Sequence, residues 1–163
     1  MEHFVLQLDI WFYPVRTDIR WDRSQVALSS VSSLEIRLNL ERYSGYIDAE
    51  GRIGADVLRW IDEFLSSSTR QAQLQNITIK LHGSSYRLQH LLHVTPGSPV
   101  IASLEKTIID LLPKSVTFTT ATRRNHRHCT LTKALLKRNF PALYEQALAK
   151  FVFPEGELPI LYH

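Results

Sequence analysis

This sequence predicts an α/β domain with a mainly parallel sheet of three to four strands and helices packed on one face. Stretches that alternate apolar and polar residues have the period of a half-buried strand. They are interleaved with stretches whose apolar residues return every three to four positions, the period of an amphipathic helix. The alternating stretches near residues 36, 77 and 116 recur at steps of roughly 40 residues, a repeat-sized unit, each reached through a helix. That order suits parallel pairing through right-handed crossovers. Parallel strands covered on both faces read as nearly continuous apolar runs, so alternation here predicts one buried face and one open face, as in a short solenoid. The competing arrangement is a two-layer α/β sandwich with some antiparallel pairing.

The elements follow in order. Phe4, Leu6, Leu8, Ile10 and Phe12 alternate with a set that includes Gln7 and Asp9, predicting a strand over 4–12. Residues 13–33 hold Trp21, Val26, Leu28 and Val31, enough for a short helix at most. Leu34, Ile36, Leu38 and Leu40, spaced by Glu35, Arg37 and Asn39, form the second strand. Residues 41–53 read as a loop. Val57, Trp60, Ile61, Phe64 and Leu65 then make one helical stripe, opened by Gly51 and Gly54 and closed by Ser66-Ser67-Ser68. Ile77, Ile79 and Leu81 alternate around Thr78 and Lys80, and the loop 82–97 follows, with Leu88, Leu91 and Leu92 permitting a helical turn. Ser98 as N-cap and Pro99 in the first turn start a helix that buries Ile101, Leu104, Ile108 and Leu111 or Leu112 before Pro113 ends it. Val116 and Phe118 sit in a Thr-rich run that favours a strand. A helical region from about Thr130 includes Leu131, Leu135 and Leu136; Pro141 interrupts it. A last helix carries Tyr144, Ala147, Leu148 and Phe151 on one face. Residues 1–153 read as a single domain and 154–163 as an irregular tail with Pro154, Gly156 and Pro159.

The chain has 163 residues, 44% apolar and 21% charged, which suits one ordinary domain with a real core and argues against wholesale disorder. The lone Cys129 has no internal disulfide partner, which points to a reducing compartment, cytosol or nucleus. No apolar run approaches the ~20 residues of a membrane span, and Met1, Glu2 and His3 do not open a signal peptide. The net charge of +3 is uneven. Residues 114–138 hold Lys114, Arg123, Arg124, Arg127, Lys133, Lys137 and Arg138 without a single acid. A stretch of this kind could meet phosphate or an acidic surface, but the favoured reading is a solvated loop leading into a helix with a basic outer face.

No catalytic or ligand motif stands out. Asn125-His126-Arg127-His128-Cys129 offers zinc-type donors, but a structural site needs four, and a second cysteine is lacking. As a nucleophile Cys129 needs a base and an orienting group brought together in space, which neighbours in sequence do not supply. The cluster reads as a polar basic loop around an inert thiol. His90 and His93, with His82 nearby, read as surface histidines rather than ligands. Asp62 and Glu63 point to different sides of their helix and do not make an acid/base pair. Glycine-rich nucleotide fingerprints are missing. Trp60 and Phe64 read as core anchors, whereas Trp11, Tyr13 and Trp21 are harder to place and are candidates to seat a partner. No metal or cofactor is expected.

Trp60-Ile61-Asp62-Glu63-Phe64-Leu65, a Ser-rich break, and Leu74-Gln75-Asn76-Ile77-Thr78-Ile79 together resemble the C-terminal unit of fungal F-box and leucine-rich-repeat-like proteins. There a Trp- and Asp-bearing helix leads into a Leu-x-x-Val/Ile-x-Ile strand. The region from Leu135-Leu136 to Phe151 is similar to how such chains close. The resemblance spans residues 34–153 and implies a repeat region. The N-terminus lacks the Leu-Pro-bearing adaptor-binding segment of an F-box, so the expectation is a repeat-only or truncated member. The function expected is a non-catalytic protein-interaction module. Period 2 sends Glu35, Arg37, Asn39, Asn76, Thr78, Lys80, Thr117 and Thr119 to the open face, with Trp11 or Tyr13 as an aromatic anchor at its edge. The alternative is binding of nucleic acid or another polyanion through Arg123, Arg124, Arg127, Lys133, Lys137 and Arg138.

Overall fold

The computed structural model describes residues 2–9, 31–39, 52–68, 73–82, 98–120 and 126–152. The four alternating stretches are strands: β1 (Glu2–Asp9), β2 (Val31–Asn39), β3 (Asn76–His82) and β4 (Ser115–Thr120). A fifth, β5 (Ala149–Val152), joins them. All neighbours pair in parallel, and the order across the sheet, β1-β2-β3-β4-β5, is the order along the chain. The described helices are α1 (Arg52–Ser68), α2 (Pro99–Asp110), α3 (His126–Asn139) and the single turn α4 (Pro141–Glu145). The α/β class and the parallel pairing of residues 34–39 with 77–82 are as expected; the sheet is one strand larger.

Register turns the apolar positions into rows. Phe4, Leu34, Ile77, Val116 and Ala149 align across the five strands, and Leu6, Ile36, Ile79, Phe118 and Phe151 align in the next row. Helical residues close over this face in one continuous core: Leu58, Ile61 and Leu65 from α1, Ile101, Leu104 and Ile108 from α2, Leu136 from α3 and Leu143 from α4. Ile79 is buried, as the alternation required. In α1 the buried line is Leu58-Ile61-Leu65, while Val57, expected in the core, flanks it half-buried beside Trp60 and Phe64. The rings of those two aromatics stack with centroids 5.5 Å apart and planes 9° from parallel, packed against the core as anchors.

Helix ends differ from the expectation in instructive ways. The closing serines of α1 lie within the helix, where Ser66 Oγ donates to the Asp62 carbonyl at 2.8 Å and Ser67 Oγ to that of Phe64 at 3.3 Å. Ser98 occupies the N-cap of α2, but its hydroxyl makes no capping bond; its carbonyl accepts from the Ala102 N–H at 2.9 Å. At the other end Leu112 turns left-handed (φ 51°) and its N–H reaches the Ile109 carbonyl at 2.9 Å. Pro113 follows and has no N–H for the second bond of that closing motif.

Three expectations are corrected toward the C-terminus. α3 begins at His126, so the His126-Arg127-His128-Cys129 run is the first turn of a helix rather than a loop. Its buried side is Thr132, Leu136 and Asn139, and Leu131, expected in the apolar stripe, is exposed. The expected final helix through Phe151 is instead one turn followed by β5. The chain is turned by a Schellman motif: Ala147 is left-handed (φ 55°), its N–H donates to the Tyr144 carbonyl at 3.1 Å, and the Leu148 N–H donates to that of Leu143 at 3.0 Å. Once turned, Ala149-Lys150-Phe151-Val152 alternates and completes the rows.

Candidate functional site

The face opposite the core is built by the residues between the buried ones. One row runs Val5, Glu35, Thr78, Thr117 and Lys150; the next contains Arg37, Lys80, Thr119 and Val152; flanking rows bring Ser33, Asn76 and Ser115 together on one side and Asn39 and His82 on the other. With strands about 4.8 Å apart, the five-residue row spans about 19 Å. Asn76, Val5, Lys150 and Val152 are exposed and the rest of the two central rows are half-buried, because their neighbours in a pleated surface shade them.

Glu35 is the organising charge. Its Oε1 accepts from Arg37 Nε at 2.5 Å, a contact between residues two apart that the strand period places on one face. Its Oε2 stands 3.9 Å from His3 Nε2 on β1. Glu35 is 17% exposed against 38% for Arg37, so the carboxylate lies lower in the surface and the guanidinium covers it. At the flank, Ser115 Oγ donates to Asn76 Oδ1 at 2.9 Å, tying β4 to β3. Lys80 and Lys150, and the hydroxyls of Thr78, Thr117 and Thr119, have no hydrogen-bond or ion-pair partner among the described residues.

The face therefore gathers Glu35, Arg37, Asn39, Asn76, Thr78, Lys80, Thr117 and Thr119 as the alternation required. It also contains His3, Val5, Ser115 and Lys150, which sequence reasoning did not assign to it. The signal for Lys150 was the four-residue alternation after Ala147, masked by an Ala- and Leu-rich context that reads as helix. Trp11, Tyr13 and Trp21 lie outside the described residues, as do Arg123, Arg124, His90, His93 and the tail 154–163. Arg127 is in the first turn of α3, and Lys133, Lys137 and Arg138 are exposed along that helix, on the helical side of the sheet rather than on its open face.

The neighbouring carboxylates Asp62 and Glu63 part as expected. Glu63 faces outward, and Asp62 joins two helices: Ser103 Oγ donates to its Oδ2 at 2.6 Å and Thr107 Oγ1 to its Oδ1 at 2.5 Å, both from α2. That carboxylate has a structural task. Glu105 has another. It is buried at 8% exposure on α2, and its Oε1 accepts from the Leu143 N–H at 2.9 Å, capping the turn α4 from across the core. Phe118 packs against Phe140 (centroids 5.6 Å apart) and Tyr144 (6.3 Å), and burial of Tyr144 raises its phenol above the usual value of 10.0.

No protein-family model matches this chain, and no curated protein or solved structure does either. None of its described helices is long and apolar enough to cross a membrane.

Proposed function

We propose that this chain is a non-catalytic protein-interaction module, a short leucine-rich-repeat-like unit that binds a partner on the open face of its sheet. The observation that carries the reading is the pair of polar rows centred on Glu35–Thr78–Thr117 and Arg37–Lys80–Thr119, set in register opposite a sealed apolar face. Strands laid down in chain order give solenoid proteins their extended binding surface, and the resemblance of residues 60–79 to fungal F-box and leucine-rich-repeat-like proteins agrees with that use. Arg37 is the natural hot spot, since arginine is enriched among interface hot spots, and Trp11 and Tyr13, which follow β1 in the sequence, are the aromatic candidates to anchor a partner.

The test is site-specific photocrosslinking in cells that make the protein, with the photoreactive residue at Thr117 on the open face or at Ala134 on the exposed side of α3. Adducts are expected at Thr117, and they disappear when Arg37→Glu and Lys80→Glu are combined. Adducts at Ala134 alone overturn the reading. They favour instead a second one, polyanion binding, which rests on Lys133 and Lys137 standing exposed one helical turn apart in an acid-free helix. That second reading requires retention of RNA or DNA on a filter that falls steeply with salt.

A further inference from the structure

The open face holds an arrangement that the fold does not need. Arg37 and Lys80 are register partners on adjacent strands, and like charges directly opposite each other weaken a sheet. Arg37 is tied to Glu35, which leaves its neighbour Lys80 without an anion among the described residues. Lys80 is flanked across the next strand by Thr119 and along its own by Thr78, whose hydroxyls also lack partners there. A half-buried ammonium beside a guanidinium, ringed by uncommitted hydroxyl donors, is a set of groups suited to an oxyanion.

Resting on the interaction reading above, we propose that Arg37, Lys80 and Thr119 seat the carboxylate side chains of an acidic, extended partner segment that crosses the sheet. Lys150, in the Glu35 row on β5, extends the positive track. Cations on β2, β3 and β5 span about 15 Å, three strand spacings, which is the reach of about four or five extended residues. A nucleic acid fits this face less well. Its described residues include no Phe, Tyr or Trp ring on which a base stacks, and the Glu35 carboxylate lies in the middle of it.

The experiment is an amide chemical-shift titration of the isotope-labelled whole chain with a synthetic peptide of alternating Glu and Ser. A Gln-Ser peptide and an oligothymidylate serve as comparators, each taken to concentrations that saturate a millimolar complex. Expected are shifts confined to β2, β3, β4 and β5 around Arg37, Lys80, Thr119 and Lys150, reversed by high salt and not seen with the Gln peptide. Lys80→Glu should bind about ten-fold more weakly or worse while its melting temperature holds or rises, since the opposed cations become an ion pair. Lys80→Gln should fall between, and it keeps the test alive if the charge reversal does not fold. The proposal is overturned by an absence of shifts, by unchanged affinity in the Lys80 variants, by shifts centred on Lys133 and Lys137, or by tighter binding of the oligothymidylate on this face. If the peptide fails while crosslinking at Thr117 remains sensitive to the double reversal, only the acidic character of the partner is wrong. Loss of both removes the interaction reading as well.

Discussion

Replacing Glu105 by Leu should unhinge the C-terminal part of the sheet. α4 starts with Pro141, which has no N–H, after Phe140, which has no capping oxygen, so the carboxylate from α2 is the acceptor that serves the Leu143 N–H. Leu143 is fully buried, and no solvent replaces that acceptor. A hydrogen bond to a charged group contributes about 1.5–3 kcal/mol, and an orphaned buried donor costs about 1–3 kcal/mol. Removing a buried carboxylate offsets part of this, since its desolvation is also relieved. A net loss of about 2 kcal/mol is expected for Glu105→Leu, and less for Glu105→Gln, which keeps an acceptor oxygen. With a urea slope of about 2 kcal/mol/M the Leu variant's midpoint falls by about 1 M. Hydrogen exchange at the Leu143 and Leu148 amides, which flank the turn into β5, should accelerate beyond what the global loss explains. Equal midpoints for wild type and Glu105→Leu, or a Gln variant weaker than the Leu variant, would refute the capping argument.

Further outcomes are expected elsewhere in the chain. Ile79→Ala removes a buried side chain in the middle of the Leu6–Phe151 row and should cost about 2–5 kcal/mol by denaturant unfolding, with the fold retained. Ala147→Gly should raise stability by about 0.5–1 kcal/mol, because a left-handed Cβ is strained there and the residue is exposed; a lower melting temperature would contradict this. The buried Tyr144 hydroxyl has no partner among the described residues, so Tyr144→Phe should leave stability at neutral pH unchanged or higher. Its raised folded pKa means that the native state holds the phenol proton longer than the unfolded chain. That contribution is intact below about pH 10 and is lost as pH rises through the folded value, so the Phe variant should show a shallower alkaline decline in urea midpoint.

Most of the sheet was legible because period 2 is an unforgiving constraint: slipping Leu34, Ile36 and Leu38 by one position sends all three to the open face. The same rule puts Glu35 and Arg37 on one face of the strand. Helices were legible to within their flanks. The line Leu58-Ile61-Leu65 and the line Val57-Trp60-Phe64 are adjacent on α1, and large aromatics mark a stripe without revealing which edge of it goes deepest. On α3 the Leu pattern misleads, since Thr132 and Asn139 take buried positions while Leu131 stays exposed. β5 was illegible because helix-forming residues around Ala147 carry no hint that Ala147 turns left-handed. Tertiary packing of Leu143 and the carboxylate of Glu105 decide that turn, and both are distant choices. The opposed Arg37 and Lys80 were each assigned to the open face, but their direct juxtaposition depends on register, which only the paired strands fix.

The identity of chain order and spatial order in the sheet has a consequence for how such a molecule changes over time. Among the described residues no strand is threaded between two that precede it, so each described strand's partners are also its nearest predecessors and successors along the chain. An insertion, duplication or loss of one strand-and-helix unit at either margin leaves every remaining pairing where it was. Selection is then free to lengthen or shorten the polar face one column at a time, whereas in a sheet with interleaved strands the same edit would tear the middle. The margins bear the cost: β1 and β5 stand at opposite edges about 19 Å apart, so joining them through a short linker to permute the chain would strain the sheet, and length is the dimension in which this architecture is free to vary.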